Sequence, residues 1–170
     1  TLVRAMIEVP TVKYTMIKKT GYLKIIEFTP ETPARVQDAL DSFQKNGYAN
    51  LVIDLRNNPG GLITSAVQVA DKFIDEGPIV TTKSRIASQG NAYYAKKETT
   101  KVRGIPIAVL LNNGSASAAE ILSGALKDNH LAYLVGQKSY GKGSVQQIVS
   151  LNTKGDEEIK ITTARYYTPS

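Results

Sequence analysis

The sequence predicts an α/β fold, and three observations carry the prediction. Residues 51–55 (LVIDL) and 107–111 (IAVLL) are continuous apolar runs of the length and branching expected of strands buried on both faces. Each runs into an Asn- and Gly-rich turn, and behind each turn apolar residues recur at helical spacing. An earlier strand-like run, residues 21–28 (GYLKIIEF), is likewise followed by a helical pattern, so strands and helices alternate along the chain. With 170 residues, 42% hydrophobic content and 21% charge, the chain has the means to build one domain with a substantial core.

Residues 1–12 (TLVRAMIEVPTV) alternate apolar and polar side chains around Pro10, which fits an isolated strand running into a linker. After the strand at 21–28, Thr32 is placed to cap a helix with Pro33 at its first position. Val36, Ala39, Leu40 and Phe43 form its apolar stripe, and Gly47 stops it. The run at 51–55 leads through Arg56-Asn57-Asn58-Pro59-Gly60-Gly61 into a helix expected over 63–74. Glycine there suits a backbone that must approach a ligand closely or take a positive φ, although a plain strand-to-helix turn would use it equally well. Asp54 and Arg56 lie two apart on a strand and share a face, as in a structural ion pair or a solvated strand end. Residues 78–85 and 91–95 read as an antiparallel pair around the loop 86–90, while the polar stretch 96–103 indicates no element. Residues 130–135 return as a strand, and 147–151 with 158–164 suggest a closing hairpin.

The chemistry concentrates between residues 105 and 150. The strand at 107–111 ends in Asn112-Asn113-Gly114, and Ser115-Ala116-Ser117-Ala118-Ala119-Glu120 opens a helix with Ile121, Leu122, Ala125 and Leu126 on its apolar face. Ser117 therefore stands at or near a helix N-terminus, where free N–H groups and the helix dipole can stabilise an oxyanion. The same spacing, Ser117 with Glu120, also fits a capping box, unless Ser115 is the cap and leaves Ser117 free. Lys142 follows 25 residues later in Ser139-Tyr140-Gly141-Lys142-Gly143-Ser144-Val145-Gln146, and by itself a lysine between glycines is compatible with a solvated loop.

Taken together, LVIDLRNNPGGL, GSASAAEI and SYGKGSVQ, in this order and at these intervals, resemble the carboxyl-terminal processing peptidases, or tail-specific proteases. The similarity covers most of residues 21–170. It implies a crotonase- and Clp-protease-like α/β core of ββα units, with residues 13–170 as the peptidase core. Residues 1–12 then correspond to the last strand and linker of a PDZ domain that the chain otherwise lacks. It also implies a Ser/Lys dyad: Ser117 as nucleophile, Lys142 as general base, Gln146 as its helper, and the backbone N–H groups of Gly60 and Ala118 as oxyanion donors. Family members commonly carry serine at the position of Ala119, which is not the nucleophile. The implied substrates are unfolded or flexible protein C-termini, held extended and cut after small or apolar residues outside the cytoplasm, with no cofactor. A non-catalytic binding module on the same fold is the alternative, against which the joint presence of Ser117, Lys142 and Gln146 argues.

A lysine base must be neutral, which requires surroundings that disfavour its charged form, and Tyr140 and Val145 are the expected walls. A straight strand would hold Lys142 and Gln146 about 13 Å apart, so a turn at Gly143-Ser144 is expected to bring them together. Other chemistries fail on the residues. The chain has no cysteine, and its one histidine, His130, falls at the far end of the Ser117 helix, roughly 18 to 20 Å away at 1.5 Å per residue. A Ser-His-Asp triad and zinc motifs built on two histidines are thereby excluded. Gly136-x4-Gly141-Lys142 is followed by Gly143 where a phosphate-binding loop needs Ser or Thr. No carboxylate cluster has metal-site spacing. The net charge of +6 is scattered without basic runs, which argues against nucleic-acid binding and suits a surface drawn to anionic envelope polymers or lipids.

Overall fold

The computed structural model describes residues 9–152 and 157–170. The strand expected within residues 1–12 falls, up to residue 8, outside the described residues. Among those described, the order is β1 (Val12–Ile17), β2 (Thr20–Ile25), α1 (Thr32–Lys45), β3 (Asn50–Asp54), α2 (Ile63–Ala70), β4 (Pro78–Ser84) and β5 (Asn91–Tyr94). It continues with β6 (Ile107–Leu111), α3 (Ala118–Asp128), β7 (Ala132–Gly136), β8 (Ser144–Ser150) and β9 (Glu158–Tyr167).

The alternation of strand and helix has the expected result. A five-stranded sheet runs β1-β2-β3-β6-β7, antiparallel at β1–β2 and parallel from β2 onward. The strands leading to the two glycine turns are neighbours, with Leu51 opposite Ile107 and Leu55 N–H donating to Leu110 O. β1 was not foreseen; it forms a tight hairpin with β2, closed by Lys18 at φ 55°. A second sheet, β5-β4-β9-β8, is antiparallel and includes both expected pairs, β4 with β5 and β8 with β9.

α2 packs between α1 and α3, so the helices form one layer. The core lies beneath them, built from Leu23, Ile25, Leu51, Ile53 and Val109 of the sheet with Val36, Phe43, Val69, Ile121, Leu122 and Leu126 of the helices. Because helices line a single side, β6 alternates: Ile107, Val109 and Leu111 are buried, whereas Ala108 and Leu110 are half-buried. Burial on both faces is therefore corrected to burial on one.

Two helix ends also differ from expectation. Glu31 holds the N-cap position of α1, while the Thr32 hydroxyl, fully buried, accepts the Thr29 N–H (3.0 Å) and donates to Glu27 O (2.8 Å). α2 stops at Ala70 because the chain tightens into a turn, and the Lys72 carbonyl instead accepts the N–H groups of Lys101 and Val102.

Candidate active site

Asp54 ends β3 fully buried. Burial alone would push its carboxyl up, but hydrogen bonds from Arg56 Nε (3.0 Å), Arg56 Nη2 (2.8 Å) and the Tyr22 hydroxyl (2.5 Å), with the Lys24 ammonium nearby, hold it below the usual carboxylate range. Its other role is local: Oδ1 accepts the Arg56 N–H (2.9 Å) and so starts the turn that carries the glycines. The ion-pair reading of Asp54 and Arg56 is the one realised.

That turn is bound to the neighbouring one after β6. Asn57 and Asn112 exchange hydrogen bonds, Asn57 N–H to Asn112 Oδ1 and Asn112 Nδ2 to Asn57 Oδ1, each at 2.9 Å. Ser115 is buried, its hydroxyl donating to Leu55 O (2.8 Å) and accepting the Asn112 N–H (3.0 Å). It pins the two turns together and is not the helix cap. Asn58, also buried, donates to Ile25 O (2.9 Å), while its backbone carbonyl accepts the Ala116 N–H (2.9 Å). Glycine is required behind it: at φ 105°, Gly60 sits so close to the next turn that a Cβ would lie 2.7 Å from Ser117 Cβ and 2.9 Å from Ala118 N. The Gly60 and Ala118 nitrogens are thus within about 6 Å by bond geometry.

Ser117 is the N-cap of α3 and half-buried, with φ 54° and ψ −117°. A non-glycine residue there is strained, and such strain gathers where the surroundings impose it for function. A sharp strand-to-helix turn of this sort presents a serine hydroxyl at the edge of a sheet. The Ala118 N–H has no hydrogen-bond partner among the described residues, although Ala118 is fully buried. The Gly60 N–H is engaged by Asn58 Oδ1 (2.8 Å), whereas that of Gly61 is unpartnered among the described residues. Phe28 takes the groups on either side of Gly61, its N–H donating to Gly60 O and its carbonyl accepting the Leu62 N–H, both at 2.8 Å. The amide of Gly61 therefore faces away from that strand.

Lys142 is half-buried just before β8, with Nζ 3.4 Å from Gln146 Oε1. The contact expected between these two side chains is present, but β8 already begins at Ser144, and the register shift falls between Val145 and Gln146. No turn precedes β8, and the extra residue of the shift is Thr163 of the partner strand β9, since Val145 faces Ala164 and Gln146 faces Thr162. Val145 is half-buried and lines a different cleft from Lys142, and Tyr140 is 71% exposed and is not a wall. Among the described residues, Ser117 Oγ and Lys142 Nζ share no hydrogen bond.

What unites them is Glu120, expected from sequence as the capping-box partner of Ser117, a reading the structure realises. One of its oxygens accepts the N–H groups of both Ser117 and Lys142, each at 2.9 Å, which puts those nitrogens within about 6 Å of each other. Its other oxygen accepts the Ser139 hydroxyl (2.7 Å) and the Gly141 N–H (2.6 Å). Tyr166 of β9 was missed altogether. Its hydroxyl donates to Lys142 O and lies 3.3 Å from Ser117 O; burial, then the Glu120 carboxylate, push its ionisation well above the ordinary tyrosine value. His130 lies exposed beyond the far end of α3, apart from this cluster.

Comparison with known proteins gives a consistent picture. Residues 19–170 match peptidase family S41. The carboxy-terminal-processing protease of Bartonella bacilliformis is 43% identical over 177 residues, covering 99% of this chain and 39% of that protein. The chloroplastic C-terminal processing peptidase of Tetradesmus obliquus is 37% identical over 154 residues, 90% of this chain and 32% of that one. Among solved structures, the photosystem II D1 C-terminal processing protease superposes with a TM-score of 0.82 at 34% identity, over 96% of this chain and 45% of its own. The chain thus spans less than half the length of these relatives.

Proposed function

Because the chain belongs to peptidase family S41, we propose that it is the core of a serine endopeptidase that cuts near the C-termini of flexible protein substrates through Ser117 and Lys142. Ser117 Oγ attacks the peptide carbonyl and passes its proton to the neutral Lys142 amine, which Gln146 Oε1 orients. Lys142 returns that proton to the departing amine, leaving an ester on Ser117, and then activates the water that hydrolyses it. The developing oxyanion is met by the Ala118 N–H and an amide of the glycine turn. Of the two glycines, Gly61 is favoured over the expected Gly60, whose N–H is held by Asn58. Catalytic hydrogen bonds are often long without substrate, so the missing Ser117–Lys142 bond is one that substrate is expected to close.

The observation that carries this reading is the strained Ser117 at the start of α3, coupled through one carboxylate to the backbone of Lys142. Tail processing is what the relatives' names state of those proteins, and it is proposed here on that basis, together with a site of action outside the cytoplasm. No helix among the described residues is long and apolar enough to cross a membrane. The test is a pair of variants assayed on an unstructured peptide. Ser117→Ala is expected to abolish cleavage with folding intact. Ser115→Ala should keep measurable cleavage and lose about 1–2 kcal/mol of stability, since it leaves buried backbone groups without their hydroxyl partner. The opposite result would move the nucleophile to Ser115.

A further inference from the structure

A cleft of about 500 Å³ opens at the start of β8, and the proposed base Lys142 is one of its walls, with Ser144, Arg165 and Tyr167. The register of the four-stranded sheet orders these side chains. Lys83 of β4 and Ser144 of β8 are the partners of Arg165 on its two sides, and partners in an antiparallel pair project from one face. Tyr167, two residues after Arg165, shares that face, and the Lys83 ammonium lies 4.9 Å from the centre of its ring. An ammonium, a guanidinium and a hydroxyl thus stand in one row across three strands, each able to donate hydrogen bonds.

The row has no acid to answer it. Like charges directly opposite each other on neighbouring strands cost stability, yet among the described residues neither Lys83 nor Arg165 forms an ion pair. No carboxylate lines the cleft, and Glu120 is already engaged by the N–H groups of Ser117, Gly141 and Lys142 and by the Ser139 hydroxyl. Lys83 and Arg165 are both exposed, so an anion can reach them. In the reaction proposed above, Lys142 gives its proton to the departing amine, which puts the leaving half of the substrate on the Lys142 side of Ser117, where this cleft opens. Resting on that protease reading, we infer that the cleft holds the side-chain carboxylate of an Asp or Glu on the C-terminal side of the cut. Arg165 is its main partner, since a guanidinium offers a carboxylate two parallel donors, and Lys83 and Ser144 flank it.

The experiment compares kcat/KM, in the full-length protein, for C-terminally amidated peptides that carry one Glu or one Gln at each position in turn after the cut. Amidation removes the terminal carboxylate, so only the side chain is read. At one position Glu should be favoured over Gln by about fivefold, and added salt should shrink that preference because the row is exposed. Arg165→Gln should abolish the preference, Arg165→Lys should keep part of it, and Arg165→Glu should favour a Lys peptide over the Glu peptide at the same position. Lys83→Gln, at an exposed position on the neighbouring strand, should lower the Glu-to-Gln ratio about twofold even if the Arg165 variants do not fold. No preference for Glu at any position, or one that the folded variants leave intact, would overturn the assignment. Cleavage that survives Ser117→Ala would instead overturn the protease reading itself, so the two failures are distinct.

Discussion

Asp54 shows how much of this site depends on one buried charge. Its carboxylate ionises more readily folded than unfolded, so the stability it contributes is complete above the unfolded value of about 3.9 and is lost as pH falls below it toward the lower folded value. Asp54→Asn should therefore cost about 2 kcal/mol or more at neutral pH and flatten the acid limb of the stability curve, as read by denaturant titrations from pH 3 to 7. Gly60 is a second such residue. Gly60→Ala must place a methyl against Ser117 and Ala118 at a φ that side chains rarely adopt, so loss of cleavage and of about 2 kcal/mol or more is expected by thermal melting and peptide assay. Both positions were visible in the sequence as types: an acid two residues before an arginine, and a glycine after a strand. Their partners were not visible, because Tyr22 and Lys24 reach Asp54 from a neighbouring strand and Ser117 reaches Gly60 from across the fold.

Elements were most legible where pattern and packing agree. The runs at 51–55 and 107–111 became adjacent parallel strands, and the hairpin of β8 and β9 followed from its two apolar stretches. β1 escaped because its turn, Lys18-Lys19, carries none of the Asn, Asp or Gly that usually signal a two-residue hairpin. The bulge in β9 at Thr163, opposite Val145 and Gln146, escaped for a similar reason: an extra residue in a strand depends on the partner strand's register, which no local spacing records. Tyr166 belongs to this scale, since it ties β9 to the segments that hold Ser117 and Lys142. Tyr166→Phe keeps the ring packing and removes the hydroxyl, and should cost about 1 kcal/mol in stability and roughly tenfold in kcat, with KM for the peptide little changed.

At the scale of the whole molecule, the proposed nucleophile and base arrive from different sheets. Ser117 follows a strand of the five-stranded sheet, and Gln146, which holds Lys142, stands on the four-stranded one. We assign the reading of a free chain end to the PDZ domain that the resemblance implies, not to residues 13–170. For a protein holding only these 170 residues, a peptide and its C-terminally amidated form should accordingly be cut with kcat/KM values within about threefold of each other. A much larger ratio would mean that the core itself reads the chain end.

The shared carboxylate of Glu120 makes these two sheets answer to a single condition. It accepts from the turn that holds Ser117 and from the loop that holds Lys142 at once, so both backbones depend on one side chain. Glu120 is thus a single point of failure: its removal leaves the N–H groups of Ser117, Gly141 and Lys142 without their acceptor in one event, whereas loss of either segment alone leaves the other still bonded to the carboxylate.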